Sequence, residues 1–206
     1  MQSVGDDLIG VEVSSPRAAQ SLADQLRAGA AWLEVVAGID SVVVRYDTLN
    51  IDRDAARNLL KNAQRELQDV SEQQATLVEI PIVYGGDAGP DFATVCEQLQ
   101  MSAEAFVALH TAGEYEVDML GFTPGFAYIG GLDSKLRVPR LKEPRVRVAA
   151  GSVGIADGRT GLYALQGPGG WPLIGYTALP LFDAVAANPF ILKAGMKIRF
   201  VVADRS

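Results

Sequence analysis

The chain is poor in the residues from which reactive centres are most often built. In 206 residues it has one cysteine, Cys96, and one histidine, His110. A single thiol excludes an intrachain disulfide framework and a thiolate metal cluster, and a single imidazole excludes a site of paired histidine ligands. No metal centre is therefore expected. Cys96 lies in a stretch that reads as helix, Phe92-Ala-Thr-Val-Cys96, where a buried, inert thiol is the expected state. Long apolar runs are also missing. None approaches the roughly 18 residues of a membrane-spanning helix, and the opening Met1-Gln-Ser-Val-Gly-Asp-Asp7 has neither the basic nor the apolar part of a signal peptide. A soluble, cytoplasmic protein is expected. Positive charge is scarce as well: 18 Lys and Arg stand against 25 Asp and Glu, a net charge of −7. That balance argues against nucleic acid as a partner, since phosphate contacts need a broad basic surface.

What remains is an ordinary globular composition, 49% hydrophobic and 21% charged, with enough chain for two small domains. Leu8, Ile9, Val11 and Val13 suggest a strand. Ser15-Pro16 supplies an N-cap and first helical position, and Ala19, Leu22, Ala23 and Leu26 form one stripe of a helix reaching about Gly29. Two β-rich runs, Trp32 to Val36 and Ser41 to Tyr46, read as a hairpin. Asp52 caps a second helix expected to run to about Val70, with Ala55, Leu59, Leu60, Ala63 and Leu67 on one face. A strand from Ala75 to Tyr84 follows. The order βαββαβ predicts a ferredoxin-like unit. The long last strand, with Pro81 inside it, is expected to lead into a second domain, so the boundary is placed between 1–78 and 79–206.

The second domain begins with two short helices, Pro90 to Leu99 and Ser102 to about Leu109, capped by Asp91 and Ser102. Beyond Glu116 the helical period disappears. Twelve of the 21 glycines fall between residues 121 and 175, dividing short apolar stretches (Val117 to Leu120, Phe126 to Ile129, Arg145 to Ala149, Thr160 to Leu165, Trp171 to Tyr176, Lys197 to Val202). Strands broken by so many turns predict a closed or nearly closed β-barrel. The fold class expected is thus α+β.

Few residues are equipped for chemistry. His110 ends the second short helix, where it would bond to backbone or interact with the helix dipole, or else touch a ligand. From Lys135 to Arg147 the chain has six basic residues and one acid: Lys135, Arg137, Arg140, Lys142, Arg145 and Arg147 against Glu143. Guanidinium forks grip carboxylate or phosphate with two parallel bonds, and Pro139 and Pro144 restrict the loop. It is either an anion-binding loop or a solvated one. Gly151 to Gly161, containing Ser152, reads as a β-hairpin or as a cradle for an oxyanion. It has neither the Lys-Ser/Thr ending of a P-loop nor the Gly-x-Ser-x-Gly context of a serine nucleophile. Phe122, Phe126, Tyr128, Tyr163 and Trp171 lie among the glycines and would form core or line a ligand pocket.

The ordered string Gly121-Phe-Thr-Pro-Gly-Phe-Ala-Tyr-Ile-Gly-Gly-Leu132, Pro139-Arg140, Pro144-Arg145, Val148 to Ala156, Thr160-Gly161 and Pro168-Gly-Gly-Trp171 to Gly175 resembles the KipI family. Glu79 to Gly86, Gly89-Pro-Asp91, His110-Thr111 and Leu181-Phe-Asp183 extend the likeness over roughly the whole chain. The family includes the B component of the bacterial ATP-dependent 5-oxoprolinase and the allophanate-hydrolase subunit 1 domain of urea-degrading enzymes. The resemblance implies that the second domain is a cyclophilin-like barrel, although such a fold by itself confers no isomerase activity. It implies a non-autonomous part of a cyclic-amide hydrolase, opening 5-oxoproline to L-glutamate with ATP, and with Mg shared across the complex. The implied partners are the KipA-like C component and the lactam-acting A component of that enzyme. The alternatives are a KipI-like inhibitor of a sensor histidine kinase and a component of urea or allophanate metabolism. On this reading His110, Thr123, Phe126, Tyr128, Arg140, Arg145, Arg147, Ser152 and Trp171 are the candidates for binding substrate or phosphate, with catalytic residues unassigned. Where the family usually has Leu-Pro-Gly-Phe-Pro-Tyr, this chain has Thr123-Pro-Gly-Phe-Ala127-Tyr, which changes the polarity expected there.

Overall fold

A computed structural model describes residues 2–67, 76–187 and 189–203. The chain divides into two compact units, Met1–Gln74 and Ala75–Ser206, a few residues ahead of the expected 78/79 boundary.

The first unit contains strands β1 (Gln2–Val4), β2 (Leu8–Glu12), β3 (Glu34–Ala37) and β4 (Ser41–Arg45), with helices α1 (Pro16–Ala28) and α2 (Arg53–Glu66). Ser15 and Asp52 cap the helices by accepting from Ala18 N and Ala55 N at 3.1 and 2.8 Å. Ala19, Leu22, Ala23 and Leu26 of α1 are buried, as the stripe predicts. On α2 the inward face is Ala56 and Leu60, with Ala63 and Leu67 packed beside them. Ala55 and Leu59, expected on that face, are exposed. The expected continuation of this helix to Val70 lies outside the described residues.

The sheet order is β1-β2-β4-β3, all antiparallel. The edge beside β2, which the expected βαββαβ unit would fill with the strand at 75–84, is taken by β1 instead. β1 returns as a hairpin through Gly5 at φ 76°. The strand after α2, β5 (Leu77–Tyr84), belongs wholly to the second unit, where Leu77 already pairs with Lys197.

That unit comprises α3 (Phe92–Gln98), α4 (Ala103–Ala112) and the strands β6 (Tyr115–Leu120), β7 (Ala127–Gly130), β8 (Arg145–Val148), β9 (Ser152–Ala156), β10 (Arg159–Leu162), β11 (Gly167–Gly169), β12 (Leu173–Tyr176) and β13 (Lys197–Val202). Seven of the strands close a barrel in the order β10-β7-β6-β13-β5-β12-β9. β13 and β5 run parallel over six residue pairs. β8 and β11 pair only with each other, as a two-stranded ribbon.

Alternation along each strand sorts side chains between two cores. Ile80, Ile82, Ala127, Ile129, Val153, Ile155, Leu162, Ile198 and Phe200 join α3 and α4 residues in the larger cluster. Phe126, Val148, Tyr163 and Leu173, with Tyr128 against them, make a second small core. It draws on the opposite parity of β7 and β10 and on the ribbon. Among the described residues no helix is long and apolar enough to cross a membrane.

Candidate functional site

His110 lies in the larger core, away from the arginines. Its helix α4 presents Phe106 and His110 inward, and the imidazole stacks on Phe200 at 4.7 Å between centroids. Both ring nitrogens are engaged: Nδ1 with Tyr84 Oη at 2.7 Å and Nε2 with Thr160 Oγ1 at 3.0 Å. A neutral ring has one N–H, so one hydroxyl donates to it and the other accepts. The ring is fully buried with no carboxylate on it, and desolvation holds its pKa down to about 3. The same cause raises the Tyr84 phenol. His110 stands in the last turn of α4, but its ring nitrogens meet side-chain hydroxyls and not the expected backbone. It is a neutral polar strut joining α4, β5 and β10.

The residue after Thr160 faces the other way. A Cβ on Gly161 would stand 2.8 Å from both Phe126 Cζ and Trp171 Cζ3, and one on Gly154 would stand 3.0 Å from Trp171 Cβ. Gly154 and Gly161 are cross-strand partners, so together they form a floor without side chains on which the indole rests. Phe126, Tyr128, Tyr163 and Trp171 then pack edge to face, with centroids 4.8 to 5.8 Å apart. Phe126, Tyr163 and Trp171 are buried, so these rings are core first. Burial raises the Tyr163 phenol, partly offset by its hydrogen bond with the Trp171 backbone and by Arg145 and Arg140.

The arginines meet this cluster at different points. The Arg140 guanidinium lies 5.8 Å over the Trp171 ring and pairs with Asp157 at 3.2 Å, an exposed contact. Arg145 reaches Asp91 Oδ1 with Nη2 at 2.6 Å, and the other oxygen of Asp91 accepts from Leu173 N at 2.7 Å. This pair is mostly buried, the side chains being 31% and 17% exposed. Asp91 is therefore not the side-chain cap of α3 that the sequence predicts. Its carboxylate is committed to a strand and a ribbon far away in sequence. Arg147 stands exposed on β8 with no ion pair among the described residues. Ser152 is buried in β9, and its carbonyl accepts from Tyr163 N at 3.0 Å.

Thr123 sits in the turn Gly121–Gly125, held by Gly121 N to Phe126 O and Phe126 N to Thr123 O, both at 3.1 Å. In this turn Phe122 has φ 70° and is 62% exposed. A bulky side chain in the left-handed region is strained, and such strain persists where surrounding structure enforces it.

Of the expected site residues, the structure brings together Thr123, Phe126, Tyr128, Arg140, Arg145 and Trp171 around the ribbon. It places His110 on the other side of the barrel wall and Arg147 out in solvent. Sequence reasoning misses Asp91 as a site residue, although the six basic residues of 135–147, which need counter-charge, and the motif Gly89-Pro-Asp91 hint at it. Among the described residues no three His, Cys, Asp or Glu side chains gather as for a metal ion.

Comparison with known proteins agrees with the motif string. The family described as carboxyltransferase domain, subdomain C and D, matches residues 1–192. A 5-oxoprolinase B subunit of Escherichia coli O157:H7 is 38% identical over 210 residues, covering 96% of this chain and 93% of that protein. The protein of the same name from Bacillus subtilis (strain 168) is 38% identical over 180 residues, covering 82% and 75%. Among solved structures, TTHA0988 superposes with a TM-score of 0.82 at 33% identity, over 97% of this chain and 40% of that one. With its barrel, ribbon and glycine-floored ring cluster in place, this chain belongs to the family of the carboxyltransferase domain, subdomain C and D, and counts 5-oxoprolinase B subunits among its relatives.

Proposed function

We propose that the chain is the B component of an ATP-dependent 5-oxoprolinase, a part of the hydrolase that is not active alone. The observation behind this is the 38% identity to a 5-oxoprolinase B subunit that extends across 96% of this chain and 93% of the relative. The relatives bear that name, so the kinase-inhibitor and urea-pathway alternatives are not favoured.

In this reading the chain works with the KipA-like C component and the lactam-acting A component, and it is the cytoplasmic, cyclophilin-like member of the assembly. ATP with Mg, shared across the complex, would supply the phosphoryl group that makes the amide carbon open to attack by water. The residues of this chain suited to phosphate oxygens are the exposed Arg147 and Arg140, which is preorganised over Trp171. Their role is to neutralise charge as it develops.

The test is to purify the chain with the two other components and measure ATP hydrolysis as a function of 5-oxoproline. Turnover that requires all three chains and rises with 5-oxoproline is expected. Hydrolysis indifferent to the lactam, or undiminished without this chain, overturns the reading. Unchanged turnover in Arg145→Ala and Arg147→Ala removes both residues from the site.

A further inference from the structure

Apolar side chains exposed one at a time are ordinary, but the β8–β11 ribbon gathers several. One face of the ribbon is occupied: Val148 belongs to the small ring core and Gly169 faces the Tyr163 ring. Its other face is open. Gly167 pairs with Val148 and Gly169 with Arg145, so Val146 and Arg147 together stand opposite the single Pro168. That is a β-bulge, which re-aims side chains, and here Val146 is 92% exposed with Arg147 and Pro168 exposed beside it. The turn 121–125 extends this surface, since an added Cβ on Gly167 would be 3.8 Å from Thr123 Cγ2. Next to Thr123, Phe122 is 62% exposed at φ 70°, its ring held edge-on to Phe126 at 5.7 Å. A strained backbone thus keeps an aromatic ring rigid in solvent. Water does not reward that arrangement, whereas fixed aromatic anchors are what protein interfaces use.

Charge selects the partner. Residues 135–147 carry six basic residues and one acid, leaving 12 of the 18 Lys and Arg against 24 of the 25 Asp and Glu elsewhere. Within this run Arg140 and Arg145 are committed to Asp157 and Asp91. Lys142 and Arg147 are exposed and meet no carboxylate among the described residues. A second copy is disfavoured, because a two-fold interface sets the same patch against itself and gathers like charges. An acidic face on a different protein suits it. In TTHA0988, of which this chain covers 40%, the same fold shares one polypeptide with further protein.

The structure assigns the outer face of the β8–β11 ribbon, with Phe122, Val146 and Pro168 at its apolar centre and Lys142 and Arg147 at its rim, as the docking surface for an acidic, apolar-centred face of a companion chain. The companion's identity rests on the 5-oxoprolinase reading. Arg147, suited above to phosphate oxygens, then lies at the junction of two chains.

The experiment is titration calorimetry of this chain with each of the two other 5-oxoprolinase components, without nucleotide. One of them binds the wild type, and Phe122→Gly and Val146→Asp each weaken it by about 30-fold. Glycine accepts the left-handed turn, so Phe122→Gly does not lower the melting temperature and its loss of binding is not misfolding. Lys142→Glu weakens binding about 5-fold at low salt and hardly at all at about 0.5 M salt, where exposed charges are screened. Val202→Asp, at a residue 61% exposed on β13 and away from β10 in the barrel order, leaves binding unchanged. Neither component binding the wild type, Phe122→Gly and Val146→Asp binding like it, or Val202→Asp doing equal damage overturns the assignment. Self-association of the chain, or adsorption to anionic vesicles, that the same two variants abolish also overturns it, by giving the face another occupant. Assembly with the expected dependence but no lactam-dependent ATP hydrolysis overturns the enzyme reading and leaves the docking surface standing.

Discussion

The sole imidazole of the chain makes a pH experiment unusually clean. His110 is neutral and buried when folded, with its pKa held to about 3, whereas in the unfolded chain it titrates near 6.5. Between these values the unfolded state binds the extra proton, so stability is complete above about pH 7 and falls as pH is lowered, levelling off near pH 3. From pH 7.5 to 5 the loss is about 2 kcal/mol, since the slope approaches 1.4 kcal/mol per pH unit below 6.5. Ordinary carboxyl groups are still ionised above about pH 5, which isolates the histidine in that window.

The comparison variant is His110→Phe. It keeps a flat ring against Phe200 but removes the partner of Tyr84 Oη and of Thr160 Oγ1, costing about 1–3 kcal/mol at neutral pH. It has no imidazole to protonate, so its stability stays level from pH 7.5 to 5 and the two curves converge. Urea denaturation followed by Trp171 fluorescence in a Trp32→Phe background reads the barrel unit alone. The C–H resonances of the one imidazole give its titration directly. A wild-type curve as flat as that of His110→Phe, or a ring that titrates near pH 6.5 in the folded protein, refutes the reasoning.

Other consequences can be checked with the same denaturation assay. Asp91→Ala removes both the Arg145 pair and the acceptor of Leu173 N, and is expected to cost about 3–5 kcal/mol. Asp91→Asn keeps an acceptor for Leu173 N, so it costs less, and equal losses for the two would show that the Leu173 N bond contributes nothing. Gly89→Ala places a Cβ on the backbone of Ile174, which must move. A loss under about 1 kcal/mol would show that α3 and β12 are not packed as described. Cys96 is buried and its thiol is raised by desolvation, so it should react with a disulfide reagent only as fast as the barrel unfolds. Rapid labelling in native buffer would contradict its place in the core.

Much of this fold is visible in the chain, and the exceptions have physical causes. The α1 stripe is legible because Ala19, Leu22, Ala23 and Leu26 repeat at three and four with polar residues between. On α2 the adjacent Leu59 and Leu60 admit two stripes, and only packing against the sheet selects Ala56 and Leu60. The strand at 77–84 has strand chemistry whichever sheet it joins. Its partner, Lys197 to Val202, lies about 120 residues away, and no local pattern reports that. β11 is Gly-Pro-Gly, composed of turn formers, and is extended only because β8 pairs with it. Asp91 looks like a helix cap because capping is the local use of an aspartate. Its real partners stand 54 and 82 residues further on.

The same physics explains why the expected site is only half assembled. Residues that are neighbours in sequence fall on opposite faces of a strand, so nearness along the chain separates rather than gathers them. On β10, Thr160 turns to His110 while Gly161 turns to Trp171. On β7, Ala127 and Ile129 enter the larger core while Phe126 and Tyr128 enter the smaller one. A histidine close to the motif string in sequence thereby ends on the far side of a wall. The glycines are the better guide: Gly154 and Gly161, one on each of two paired strands, remove side chains where a large ring must lie. That floor buries Trp171, and Trp171 in turn holds the Arg140 guanidinium above its face. Filling the floor should displace the indole and the guanidinium together while leaving His110 with both its hydroxyl partners. Gly161→Ala is therefore expected to change Trp171 fluorescence and not the imidazole resonances, and a shift in both would show that the two cores are not independent.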